Sequence, residues 1–180
     1  MKLLETELDG CYSVTPFTAN DNRGKFVKTY NYDMFAKLGM PTDWKEEYLS
    51  YSKKGVIRGM HFQTPPHDHD KLVFCLHGRA LDVVLDLRTK SFTYGKYFKL
   101  ILEGGNNKGL YVPRGFAHGF LALDDDTIMQ YKVNSVYAPE ADMGLRWDSF
   151  GLDWGISDPI LSRRDLEHPT FMDFESPFEL

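Results

Sequence analysis

The chain has 180 residues, of which 42% are hydrophobic and 14% aromatic: enough for one well-buried core, and too short for two. Its net charge of −5 disfavours nucleic acid as a partner, although a few local cations can still hold an anionic small molecule. Cys11 and Cys75 are too few for a disulfide framework, and the lack of a long apolar run excludes a helical membrane span.

The opening "MKLLETELDG" has acids where a signal peptide needs an apolar stretch, so a cytoplasmic location is expected. No repeat, linker or low-complexity tract divides the chain, and residues 1–180 read as a single domain. "YDMFAKLG", closed by a glycine, is the best helix signal. "VIRGMHFQ" reads as a strand, with Arg58, Met60 and Phe62 on one face and Ile57, Gly59, His61 and Gln63 on the other. "TPPHDHDK" then alternates His67 and His69 with Asp68 and Asp70, as a solvated loop or a metal-binding one.

From residue 71 onward two-residue alternation dominates. "KLVFCL", "ALDVVLDL", "YFKLIL", "LYV", "AHGFLAL" and "TIMQYKV" are separated by clusters of Gly, Asn, Asp and Pro. Short strands at this spacing read as an antiparallel sandwich or barrel. The expected fold is mainly β, a jelly-roll β-barrel with a few short helices, including a turn near "SRRDLEH".

Metal-binding cupins, barrels of this class, carry two ligand motifs. Gly55 and His61 fit the opening of the first, but Gln63 stands where the second His belongs, and no Glu follows at the required distance. Pro113, Gly115 and His118 complete the second motif. Two imidazoles without the partner His and carboxylate are a poor ligand set, so no metal or other cofactor is expected.

Six segments in one order ("KKGVIRGMHFQ", "KLVFCLHGRALDVVLDLR", "SFTYGKYFKLIL", "LYVPRGFAHGFLAL", "QYKVNSVYAPE" and "LSRRD") resemble the dTDP-4-dehydrorhamnose 3,5-epimerase family of metal-free cupins. The resemblance runs from about residue 21 to residue 165. It implies epimerisation of a nucleotide-diphosphate-linked 4-keto sugar at carbons 3 and 5, both beside the ketone. Such a C–H is weakly acidic, so the site needs a base, a holder for the enolate oxygen and an acid on the opposite face. By resemblance His61 is the base and Asp165 its carboxylate partner. Lys71 holds the enolate and Tyr131 returns the proton. Arg23 and Arg58 match arginines that grip the diphosphate, and His118 matches a histidine lining the same pocket. Phe26, Lys28, Gln63 and Tyr137 complete the substrate-binding set. The resemblance also implies a homodimer with exchanged N-terminal strands, which would cover an exposed sheet edge.

The departures gather at the nucleotide end. Ala19 and Asn20 stand where an aromatic usually stacks on the base, Lys28 replaces a common acid, "EEYLSY" replaces an amide-rich stretch, and Val136 precedes Tyr137 in place of a second tyrosine. A CDP- or GDP-linked sugar therefore stays open beside the dTDP-linked one. A carbon-3-only epimerase or keto-isomerase on the same fold is the nearest alternative. A metal-dependent cupin using the "HDH" loop, or a non-catalytic sugar-binding cupin, is the alternative of another class.

Overall fold

The computed structural model describes residues 1–179. The first elements are β1 (Lys2–Glu5), β2 (Tyr12–Thr15), β3 (Phe17–Asp21), β4 (Gly24–Lys28), α1 (Tyr32–Lys37) and β5 (Glu46–Ser52). The central strands are β6 (Ile57–Gln63), β7 (Lys71–His77), β8 (Arg79–Asp86), β9 (Tyr97–Glu103), β10 (Gly109–Val112), β11 (Phe116–Ala122), β12 (Thr127–Val133) and β13 (Asp142–Gly144). A short helix α2 (Arg163–Glu167) and a 3-10 turn (Phe171–Asp173) follow. The mainly-β class and both helical turns fall where the sequence signals them.

Two sheets form the body, ordered β1-β2-β10-β7-β12-β5 and β13-β6-β11-β8-β9, with every pairing antiparallel. Among the described residues the hydrogen-bonded ladders do not join into a closed ring. The expected barrel is therefore a jelly-roll sandwich with edges at β1, β5, β13 and β9. β3 and β4 form a separate hairpin.

Burial explains which strands alternate and which do not. β12 alternates because one face meets the core: Thr127, Met129, Tyr131 and Val133 are buried, while Ile128, Gln130 and Lys132 are half-buried. β11 is buried at all seven positions because both of its faces are covered. Between the sheets, Val73, Cys75, Met129 and Tyr131 pack on Ala80, Leu102, Phe120 and Ala122. On the far side of the second sheet, Leu85, Ala117 and Leu121 meet Leu145, Leu152, Trp154 and Phe178 of the C-terminal segment. Each large apolar side chain buried this way contributes about 1.5–3 kcal/mol. The helix α1 closes the outer face of the first sheet with Phe35, capped by Asn31, whose side chain accepts from the Met34 amide at 3.0 Å.

The face assignment of β6 differs from the simple alternation. Ile57, Met60 and Phe62 enter the apolar cluster, whereas Arg58, His61 and Gln63 face the other way. The cause is one extra residue in the ladder: His61 lies opposite His118, but Arg58 lies opposite Phe120, so three steps on β6 match two on β11. Such a bulge flips every side chain beyond it to the other face. Gly59 sits at the slip with φ of 142°, and a Cβ there would come within 2.5 Å of the Gly119 Cα. Gly59→Ala is expected to cost about 1–3 kcal/mol from the backbone conformation alone, with the Gly119 overlap adding to it. A thermal midpoint within a degree of wild type would contradict this account.

Candidate active site

The space between the sheets opens into adjoining cavities that share His61. One, of about 340 Å³, is bordered by Glu46, Tyr48, Gln63, His69, Lys71 and Asp142 among others. A deeper one, of about 220 Å³, is bordered by Ser50, Arg58, His118 and Tyr131, again with Tyr48, His61 and Lys71. The five-stranded sheet supplies Arg58, His61 and His118, and the six-stranded sheet supplies Lys71 and Tyr131. The two walls of the cavity thus carry different chemistry.

His61 meets Asp165 across 104 residues of sequence. Its Nε2 shares a hydrogen bond of 2.5 Å with Asp165 Oδ1. The chain delivers the carboxylate through a parallel bridge: the Ile57 amide donates to the Ile160 carbonyl at 3.0 Å, and the Ile160 amide to the Gly55 carbonyl at 2.9 Å. Ser162 then caps α2, its hydroxyl accepting from the Asp165 amide at 3.1 Å. Burial alone would push the Asp165 carboxyl up. The hydrogen bond and charge of His61, with the Ser162 contact, outweigh it and hold the group below the ordinary carboxylate range.

Lys71 begins β7, only 7% exposed, and its Nζ donates to the His61 carbonyl at 3.1 Å. Burial lowers its pKa to about 8, against the opposing pull of Asp142 and Asp82. Tyr131 is buried, which pushes its phenol well above the ordinary tyrosine value. Its Oη lies 3.4 Å from Ser50 Oγ, and its ring stacks on Tyr48 at 4.9 Å and 18°. His118 is held at the cavity floor by Asp82, whose two oxygens lie 2.9 and 3.0 Å from Nε2.

The other expected residues divide. Arg58 lines the cavity with its guanidinium anchored to Ser52 Oγ and the Tyr51 carbonyl, at 3.0 and 3.1 Å. Tyr137 stands exposed at the mouth, its amide donating to Glu46 Oε1 at 3.0 Å. Gln63 borders the cavity, but its amide is taken up by the protein. Nε2 faces the His67 carbonyl, His69 Nδ1 and the Val136 carbonyl, while Oε1 accepts from the Ala138 amide. It ties two loops together at the border of the cavity. Arg23, Phe26 and Lys28 are not brought to His61 at all. They lie on the β3–β4 hairpin, where Arg23 pairs with Asp21 at 2.6 Å and Phe26 is 59% exposed.

The "HDH" loop splits its histidines. His67 faces Glu140 at 3.6 Å near the surface. His69 turns inward to Gln63, and burial, with the nearby Lys71 charge, lowers its pKa to about 3, so it is neutral. The two are thus neither a metal pair nor a wholly wet loop. Tyr48, Glu46, Asp142 and Arg164 were missed by sequence reasoning. The period of "EEYLSYS" places Glu46, Tyr48 and Ser50 on one face, a usable signal; Arg164, paired with Asp142 at 2.7 Å, directly precedes Asp165.

A model of the family described as dTDP-4-dehydrorhamnose 3,5-epimerase matches residues 5–173. The dTDP-4-dehydrorhamnose 3,5-epimerase of Escherichia coli K12 is 38% identical over 169 residues, 92% of this chain and 91% of that protein. A crystal structure of the same-named enzyme from Elizabethkingia anophelis superimposes with a TM-score of 0.91 at 39% identity, covering 96% of this chain and 97% of that one. Another, from Bacillus anthracis with TDP and PPi bound, gives 0.91 at 36% identity, covering 94% and 98%. Fold and similarity together put the chain among the isomerases. It belongs to the dTDP-4-dehydrorhamnose 3,5-epimerase family.

Since a neutral lysine cannot hold an anion, the Lys71 shift has a sign that matters: the cation persists below about pH 8 and is lost above it. Titration of carbon-13 dimethylated protein by NMR is expected to show one lysine with a midpoint near 8, absent from Lys71→Arg. A Lys71 resonance titrating with the surface lysines would refute the burial argument.

Proposed function

We propose that the chain inverts carbons 3 and 5 of a dTDP-linked 4-keto-6-deoxy sugar in the cytoplasm, by proton transfer between His61 and Tyr131. The observation that carries this reading is the convergence of a His–Asp pair, a buried lysine and a buried tyrosine on one cavity from opposite sheets. Asp165 accepts from Nε2–H, which keeps the proton there and leaves the lone pair on Nδ1 to take hydrogen from carbon. The imidazolium that forms is stabilised by the same carboxylate. As the C–H bond breaks, negative charge moves to the ketone oxygen, where the Lys71 ammonium offers a cation in a dry site. Tyr131, protonated at neutral pH, then supplies a proton from the other wall.

The net acidic chain meets its anionic substrate through local cations, Arg58 and Arg164 at the cavity among them. Arg23, Phe26 and Lys28 join the set in a homodimer whose N-terminal strands are exchanged. The exposure of Leu4, Phe17 and Phe26 on β1, β3 and β4 supports such a partner.

The test is solvent deuterium uptake from heavy water into the 4-keto sugar. Label is expected at both carbons with wild-type protein, and His61→Asn should slow uptake by about 10²–10⁴-fold while nucleotide-sugar binding persists. Label at carbon 3 alone would exclude the double epimerase, and unchanged uptake in His61→Asn would remove His61 as base. For the dimer, mixing inactive His61→Asn subunits with weak-binding Arg23→Ala subunits is expected to restore activity, because each hybrid holds one intact site. Sedimentation as a monomer, or no restoration, would refute the exchange.

A further inference from the structure

A second imidazole approaches the dyad from its far side. His168, the residue that ends α2, places Nε2 3.8 Å from Asp165 Oδ1, the oxygen that already receives His61. The two rings lie 5.8 Å apart at 70°. The His168 ring has room only because residue 144 is glycine: a Cβ there would overlap it. Its Nε2 is buried and has no hydrogen-bond partner, an orphan that a buried polar group rarely remains. Among the described residues, His61, Asp165 and His168 are the one group of three potential ligands whose donor atoms gather, all within 4.8 Å of one another.

We propose that His61 Nε2, Asp165 Oδ1 and His168 Nε2 form a binding site for one divalent transition-metal ion of the zinc class. Two imidazoles and a carboxylate are a ligand set that such ions take readily, with a fourth position left to water. Metal–donor bonds of about 2.0–2.2 Å put tetrahedral donors roughly 3.3 Å apart. The present spacings of 2.5 and 3.8 Å bracket that value. Closing the group on an ion needs side-chain shifts of no more than about 1.5 Å. A cavity of about 330 Å³, bordered by His61, Ser162, Arg164 and Asp165, gives the ion a way in and room for the fourth ligand. Arg164, which borders this cavity, is already paired with Asp142.

An ion at this place silences the reaction, a consequence that rests on the proposed role of His61 as base. The metal takes the Nε2 lone pair, the proton that Nε2 carried moves to Nδ1, and the ring loses the lone pair that would attack carbon. The ion is then an inhibitor that competes with the catalytic hydrogen bond. The "HDH" loop, weighed in the sequence as a metal-binding alternative, supplies none of these three ligands, which come from β6 and from α2 with the residue that follows it.

The test titrates zinc sulfate into chelator-stripped protein by calorimetry. Wild type is expected to bind one ion with a dissociation constant in the micromolar range or tighter. His168→Gln, checked by circular dichroism, should weaken binding at least tenfold, and His69→Gln should leave it unchanged. Should His168→Gln fold poorly, nitrogen-15 spectra of the wild type decide independently, since zinc must move the Nε2 resonances of His61 and His168 together. No saturable binding, binding unaffected by His168→Gln, or binding lost with His69→Gln would each overturn the site. In the deuterium assay His168→Gln should match wild type without metal and resist zinc. If zinc binds at this site and exchange continues unhindered, the metal site stands and the base assignment of His61 falls.

Discussion

The site depends on a single slip in a ladder. One extra residue at Gly59 turns β6 over, so that Arg58, His61 and Gln63 reach the cavity while Ile57, Met60 and Phe62 complete a core. A regular strand would bring either Arg58 or His61 to the cavity, never both, because side chains alternate with a period of two. The slip is possible only where two backbones can nearly touch, and Gly59 lies against Gly119 for that reason. Packing and chemistry are thus coupled: the apolar residues that would be exposed by undoing the bulge are the ones that hold it in place.

The division of labour between the sheets follows from the same geometry. The imidazoles and Arg58 stand on one wall, and the ammonium and the phenol on the other. On the proposed reading, a sugar ring held between them would meet a base on one face and an acid on the other, which is what inversion at carbon requires. Two of these groups, Lys71 and Tyr131, are shifted by burial in opposite senses, and both shifts favour the neutral form. Lys71 keeps its charge only within a limited pH range, while Tyr131 keeps its proton throughout it.

Much of the fold was legible in the sequence because the six strands between residues 71 and 133 carry alternation or continuous burial, punctuated by turn residues. "YDMFAKLG" showed its helix through its closing glycine. The faces of β6 were not legible, since period two is the only rule the residues themselves suggest, and a bulge is visible only against the partner strand. Whether the two sheets close into a ring is decided by ladders, which hydrophobic patterns do not reveal. Among the site residues, His61 and His118 stood out as polar groups on apolar strands. Asp165, Lys71 and Tyr131 looked like surface or core residues until a family pattern was laid on them. Tyr48 and Glu46 were hidden in an edge strand whose composition departs from that pattern, and His168 in a charged C-terminal stretch, because proximity to His61 is created by the Ile160 bridge and not by spacing. The hairpin with Arg23 and Phe26 reads as a binding element, yet within one chain it faces away.

The bridge that brings Asp165 to His61 also sets an order of events. Every strand of both sheets lies before residue 145, so the sandwich can assemble from the chain as it emerges during synthesis. The carboxylate that completes the dyad arrives last. If the pair acts as proposed, a nascent protein can own its full scaffold, imidazole included, and still be chemically mute until the tail docks.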